Sequence, residues 1–290
     1  MISRWGDTMS EISHIDSNFK VDTQLCETDI RFYDVKQEPF QLHGVFYASG
    51  QFRRIPQEVA KSVSEGVYSL HSHTAGGRVR FRTDSPYIAI HATMPQVGKM
   101  SHFALTGSAG FDLYIRDGSE KYWKSFVPPF DILDGYESIV YFDSAQMRDV
   151  TIHFPLYSDV SELYIGLRSD ALVGQAQRYR VEKPIVYYGS SITQGGCASR
   201  PGNSYESMIS RRLDADYINL GFSGNAKGEP AIAQYIAGID MAAFVYDYDY
   251  NAPTVEHLEN THRKMYDIIR KAYPALPIIL LSRPAFRLSA

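Results

Sequence analysis

The feature that most constrains the fold is the stretch Pro184-Ile185-Val186-Tyr187-Tyr188-Gly189-Ser190-Ser191-Ile192-Thr193-Gln194-Gly195-Gly196. A continuous apolar run stops at a glycine and delivers two serines into a short loop. Runs that are apolar without alternation are buried on both faces, as in parallel sheets flanked by helices. A loop at the carboxyl end of such a strand is where open α/β sheets bind their ligands. A serine there, with its main-chain N–H free, can be both a nucleophile and part of an oxyanion site. Ser191 is the serine so placed.

Two other readings of the loop are disfavoured, and a third is a strand end that carries small polar residues and nothing more. Gly189 to Thr193 fails G-x-S-x-G because Thr193 stands where the last glycine belongs, which argues against a nucleophile elbow. No Lys-Ser or Lys-Thr follows the glycines, so a phosphate loop is weakly supported.

Upstream the pattern differs. Residues 1–28 show no clear period and are expected to form an arm. From there to about Arg180, strands alternate: Val79 and Phe81 with Arg78, Arg80 and Arg82, and Phe111, Leu113 and Ile115 with Asp112, Tyr114 and Arg116. Val150, Ile152 and Phe154 alternate with Thr151 and His153, and Leu163, Ile165 and Leu167 with Tyr164 and Arg168. Period two with one polar face predicts antiparallel strands buried on one side. Turns such as Ala75-Gly76-Gly77 and Arg116-Asp117-Gly118 between them predict an all-β sandwich over 29–182.

Near Tyr179-Arg180-Val181-Glu182-Lys183-Pro184 alternation gives way to block-apolar strands, which sets the start of an α/β domain over 183–290. Ser204 is placed to cap a helix with Tyr205, Met208, Ile209 and Leu213 on one stripe. Tyr217–Leu220 reads as a strand, residues 231–236 as a helix and Met241–Tyr246 as a strand. Thr254 opens a long helix with Leu258, Met265, Ile268 and Ala272 inward, stopped by Pro274, and Pro277–Leu281 is a last strand. Alternating strand and helix predicts a parallel sheet with right-handed crossovers.

Three ordered segments resemble the conserved blocks of the SGNH (GDSL) esterases. Gly189-Ser190-Ser191-Ile192 resembles Gly-Asp-Ser-Leu, with Ser190 in place of the aspartate. Asn219-Leu220-Gly221-Phe222-Ser223-Gly224-Asn225 resembles the second block, and Asp247-Tyr248-Asp249-Tyr250-Asn251-Ala252-Pro253 the third. Gly110-Phe111-Asp112-Leu113-Tyr114 also resembles the Gly-x-Asp-Leu-Tyr motif of a β-domain that precedes some of these esterases. The resemblance implies a flavodoxin-like α/β/α hydrolase layer after a jelly-roll-like sandwich. It assigns Ser191 as nucleophile, and the N–H groups of Ser191 and Gly224 with the Asn251 amide as oxyanion donors. Asp112 itself is read as a solvated strand-face residue.

The family takes its base from an Asp-x-x-His block after the last strand, and residues 1–290 contain no such sequence. Glu259-Asn260-Thr261-His262 has an acid at that spacing, but His262 lies well into the helix leading away from the Asn251 loop. Glu11-Ile12-Ser13-His14 has it too, within the arm. His71, His73, His91, His102 and His153 fall in the β-domain and read as strand-face residues, while His43 and His257 have no acid at that spacing. A truncated form of a longer esterase is expected, the alternative being a chain that binds without hydrolysing.

Composition fits a globular protein. Hydrophobic content of 44% with 21% charged residues excludes a disordered chain, and a net charge of −4 without basic runs points away from nucleic acid or an anionic membrane surface. No apolar run approaches the ~20 residues that cross a bilayer, and Met1–Ile15 lacks the apolar core of a signal peptide, so the cytoplasm is the expected location. Cys26 and Cys197 do not indicate a disulfide, and Cys197 is read as structural. No cofactor or metal ion is called for. The expected function is removal of a short acyl group, acetyl foremost, from a carbohydrate or other small polar ester. The alternatives are a non-catalytic carbohydrate-binding protein and, more distantly, a phosphate-binding domain.

Overall fold

The apolar run from Ile185 forms the centre of a parallel sheet. In the computed structural model, which describes residues 23–282, this sheet holds β13 (Val181–Gly189), β14 (Ala215–Gly221), β15 (Ala243–Asp247) and β16 (Ile278–Leu280). Their order is β14-β13-β15-β16, every pair parallel. The chain leaves β13 toward β14 and then crosses back to β15, so the doubly wound sheet switches direction at the end of β13.

Helices Pro230–Ile236 and Val255–Ala272 cover one face, where Val186, Tyr188, Leu220, Phe222, Phe244 and Tyr246 meet Ile232, Ile236, Met265 and Ile269. Helix Tyr205–Leu213 lies on the other, against Tyr187, Tyr217 and Val245. Thr254 caps the long helix, its hydroxyl accepting from the His257 N–H. Met265 faces inward as its spacing predicts, but Ile269 is the second buried position and Ala272 is exposed.

Ser204 caps helix Tyr205–Leu213 as expected, but of the stripe drawn on that helix only Tyr205 faces inward, against Tyr187. Met208, Ile209 and Leu213 are exposed, whereas Glu206, Ser207 and Ser210 are buried. The sheet beneath presents tyrosine hydroxyls and carbonyls, so the helix docks by hydrogen bonds. Ser207 Oγ shares one with Tyr217 Oη at 2.6 Å, and Ser210 Oγ donates to the Ala215 carbonyl.

The preceding segment is a sandwich of two antiparallel sheets. One orders β1 (Ile30–Asp34), β11 (Glu162–Arg168), β6 (Tyr87–Thr93) and β9 (Gly135–Tyr141). The other orders β12 (Val173–Gly174), β5 (Arg78–Thr83), β10 (Arg148–His153), β7 (Phe111–Asp117) and β8 (Ser119–Phe126), with β2 (Gln41–His43) also on β5. A small hairpin, β3 (Phe46–Ala48) with β4 (Gln51–Arg53), stands apart. The core between the sheets is built from the apolar positions read in the sequence, among them Val79, Phe81, Phe111, Leu113, Val150, Ile152, Leu163 and Ile165.

Most of the polar face of the second sheet is not solvated, Arg82 being the exposed exception on β5. Arg78, Arg80, Asp112, Tyr114, Thr151 and His153 are each 2% exposed or less. The α/β layer covers part of this face, where Arg78 pairs with Asp216 and donates to the Tyr217 carbonyl and Arg116 pairs with Asp214, while Arg80 and Thr151 are closed over by Glu120 and Tyr179. Asp112 Oδ2 accepts from the Gly202 N–H at 3.0 Å with the Arg200 guanidinium 3.7 Å away. The solvated reading of Asp112 is therefore corrected. Alternation identifies a polar face, and this one meets a second protein layer instead of water.

Helices Gln57–Val63 and Glu65–Leu70 interrupt a stretch whose pattern is otherwise β. They leave the sandwich and pack Ala60 and Val67, with Ile55, into the core of the parallel sheet. Of the expected arm, residues 1–22 lie outside the described residues, as does His14 with its Glu11. No helix among the described residues is long and apolar enough to cross a membrane.

Candidate active site

Gly189 ends β13 because nothing larger fits. A Cβ there would lie 2.2 Å from Thr193 Oγ1 and 2.5 Å from the Asp247 carbonyl oxygen. Ser190 then turns the chain: its N–H donates to Asp247 O, and its buried side chain caps helix Ser191–Gln194 by accepting from the Ile192 N–H at 3.2 Å. Ser190 is thus a structural cap, and Ser191 opens the helix beyond it, partly exposed.

The second loop leaves β14, the neighbour of β13. Asn219 is buried; its Nδ2 donates to the Thr193 carbonyl at 2.6 Å, and its Oδ1 accepts from Gly221 N–H at 2.8 Å. That side chain fastens the second block to the Ser191 helix. Gly224 follows at φ 69°, a left-handed conformation suited to glycine, exposed and with open space where a Cβ would stand. The third loop leaves β15, on the other side of β13, in a 3₁₀ turn over Asp249–Asn251. Asn251 Nδ2 donates to the Phe222 carbonyl at 3.1 Å, tying the third loop to the second. Ser191, Gly224 and Asn251 therefore issue from the carboxyl ends of three adjacent strands. An amide nitrogen carries two hydrogens, so Asn251 keeps one donor beyond Phe222.

Burial raises the carboxyl pKa values behind this edge. Glu206 is pushed up to about 8 by burial, with Asp247 adding to it, and Asp247 is raised by burial and by Asp249. Among the described residues, no cluster of three or more His, Cys, Asp or Glu side chains is arranged to hold a metal ion.

Most of the described histidines are occupied away from the Ser191 loop. His262 Nδ1 shares a hydrogen bond with Tyr246 Oη, His257 Nε2 meets the Lys227 carbonyl, His43 pairs with Asp216 and His91 with Glu137. His153 is buried beside Tyr114. Neither His71 nor His73 lies on a strand face: His71 ends helix Glu65–Leu70, and His73 is buried against Gln194. His102 is exposed in a turn. Both cysteines are free and exposed, and Cys197 sits at φ 63° shortly after the Ser191 helix, so its structural reading has no buried packing behind it.

Gln194 and Tyr157 were not singled out from the sequence. Gln194 Oε1 accepts from the Ser223 N–H at 2.9 Å, and Tyr157 Oη donates to the Ser191 carbonyl at 3.3 Å. The only sequence signal for Gln194 is its place one helical turn after Ser191, and Tyr157 had none.

Ser191, Gly224 and Asn251 thus stand on three neighbouring loops at the switch point of a doubly wound sheet. The model of the GDSL-like lipase/acylhydrolase family matches residues 182–288, and the model of the GxDLY N-terminal domain of SGNH-type esterases matches residues 30–173. The chain belongs to this family of ester-hydrolysing enzymes, carrying both parts. Among solved structures it is similar to a protein of Bacteroides ovatus assigned as a GDSL-like lipase, at 29% identity and a TM-score of 0.79 over 87% of this chain and 73% of that one. It is also similar in fold to a salicylyl-acyltransferase from a tetracycline biosynthetic pathway (19% identity, TM-score 0.68, 87% of this chain, 72% of that one). A family two carbohydrate esterase from Cellvibrio japonicus shares the fold at 11% identity and a TM-score of 0.57, over 90% of this chain and 81% of that one. Comparison with curated proteins gives no match.

Proposed function

We propose that the protein is a serine esterase that removes short acyl groups, acetyl foremost, from a carbohydrate or other small polar alcohol. The observation that carries the reading is the emergence of Ser191, Gly224 and Asn251 from adjacent strand ends, with Asn251 pinned to the Gly224 loop. Ser191 Oγ attacks the ester carbonyl carbon, and the carbonyl oxygen takes the negative charge. The N–H groups of Ser191 and Gly224 and the free Asn251 N–H meet that charge, each donor being worth about 3 kcal/mol of barrier. Collapse expels the alcohol and leaves an acyl-serine, which water hydrolyses to the acid and free Ser191. The proton of the attacking hydroxyl passes to water, none of the described histidines being placed to take it, and water returns a proton to the departing alkoxide. Turnover that relies on the described residues is therefore expected to be slow. The sugar alcohol rests on the carbohydrate esterase relative, and the short acyl group on the shallow, solvent-facing setting of Gly224.

Acetate release from p-nitrophenyl acetate and from acetylated cellobiose, compared with the butyrate and octanoate esters, tests this. Release that vanishes in Ser191→Ala and falls with acyl length is expected. Hydrolysis unaffected by Ser191→Ala would overturn the reading in favour of a carbohydrate-binding role.

A further inference from the structure

We propose that the β-sandwich is a working part of this site, with Tyr157 and His73 as positioning residues that hold the Ser191 and Gly224 loops in register. The proposal rests on the Ser191 reading above and gives the preceding domain a task in it.

Gln194 is fully buried, and both ends of its amide are committed. Its Oε1 takes the Ser223 N–H, next to Gly224, while its Nε2 donates to the Leu156 carbonyl at 3.3 Å and to His73 Nδ1 at 3.1 Å. An amide flipped end for end would turn its NH₂ group onto the Ser223 N–H, donor against donor. Ser223 offers only a donor, so Leu156 and His73, both on the sandwich side, are the acceptors that decide which way the amide points. His73 serves only as a neutral ring with its proton on Nε2. Burial, with Arg54 and His71 nearby, lowers its pKa to about 3, so the Nδ1 lone pair persists at ordinary pH.

Tyr157 reaches the Ser191 loop directly. Its hydroxyl donates to the Ser191 carbonyl at 3.3 Å. Its ring is wedged between Phe103 and His73, with centroids 5.2 and 5.8 Å away, so the hydroxyl has little freedom. Below them the fully buried Arg54 donates to Gly221 O at 2.6 Å, Asn219 O at 3.2 Å and Leu70 O at 2.7 Å, and lies 4.7 Å from the Phe222 ring centroid. Polar groups from residues 54, 73, 156 and 157 thus converge on the two loops that carry the nucleophile and the second donor. An oxyanion donor displaced by about 1 Å costs on the order of 100-fold in rate.

The test uses His73→Leu, which fills the space without an acceptor, His73→Asn, which restores one, and Tyr157→Phe, which keeps the ring. Ser223 amide hydrogen exchange is read in each, alongside kcat and KM for p-nitrophenyl acetate. In His73→Leu, Ser223 exchange is expected to rise at least ~10-fold and kcat to fall ~10- to 100-fold with KM nearly unchanged, and His73→Asn recovers most of both. Tyr157→Phe lowers kcat in the same range and serves on its own if His73→Leu does not fold. Unchanged Ser223 protection and kcat in folded His73→Leu, or in Tyr157→Phe, would overturn the proposal. If Ser191→Ala hydrolyses as well as the parent, the esterase reading fails, and Ser223 exchange still decides whether the sandwich orders the loop.

Discussion

Asn251→Ala separates a catalytic amide from a structural one. Asn251 Nδ2 spends one hydrogen on Phe222 O at 3.1 Å, which fixes the amide plane and leaves the second hydrogen for a developing anion. Losing the first bond costs about 1 kcal/mol of stability, a small drop in Tm for a chain of this size. Losing the second removes an oxyanion donor, worth about 2.7–4 kcal/mol of barrier, or 10²–10³ in kcat. The rate effect thus exceeds the stability effect by a factor of about three in free energy. Asn251→Asp keeps the shape but cannot donate and adds charge beside the anion, so it falls at least as far. Acetate release from p-nitrophenyl acetate, with thermal melts on the same preparations, gives both numbers. A folded Asn251→Ala whose kcat stays within about threefold of the parent, under ~0.7 kcal/mol of barrier, would refute the assignment.

Three further outcomes follow from the same geometry. Gly189→Ala drives a Cβ against Thr193 Oγ1 and the Asp247 backbone, and should cost several kcal/mol, about the size of an overpacked core site, seen as a large loss of Tm or no soluble protein. Ser190→Ala removes only the cap on the Ser191 helix, so urea unfolding should show a loss of about 1 kcal/mol while Ser191-dependent hydrolysis stays within about tenfold. Glu206 is buried with its pKa raised to about 8, so the proton it holds when folded favours the fold. That contribution is complete below the ordinary glutamate range and disappears as pH rises through 8; Glu206→Gln should flatten the fall in Tm between pH 5 and 9, as melts at stepped pH would record.

The parallel sheet was legible because β13 is apolar without alternation from Ile185 to Tyr188, which few structures other than a twice-buried strand tolerate. The sandwich core was legible for the opposite reason, since Val79, Phe81, Leu113 and Ile152 alternate with polar partners. What those partners face was not legible. Period two marks Arg78, Arg80 and Asp112 as one face, but a face that meets a hydrogen-bonding protein layer looks the same as one that meets water. The outward stripe of helix Tyr205–Leu213 failed likewise, because Ser207 and Ser210 dock by hydrogen bonds that no hydrophobic pattern encodes. Helix Gln57–Val63, at 7 residues, is too short for a period to emerge. The three loops of the site announced themselves by residue order, whereas Gln194, Tyr157, His73 and Arg54 are distant in sequence and meet only through the docking of the two layers.

Trapping the acyl group tests the central claim most directly. p-Nitrophenyl acetate carries a leaving group good enough to acylate a serine with little help, while deacylation needs a base to activate water. Acetyl-enzyme should therefore accumulate when the chain is mixed with this ester and quenched in acid. Peptide mass spectrometry is expected to find one acetyl group, on Ser191, absent from Ser191→Ala and much reduced in Asn251→Ala. Acetyl found on another residue, or retained in Ser191→Ala, would contradict the account.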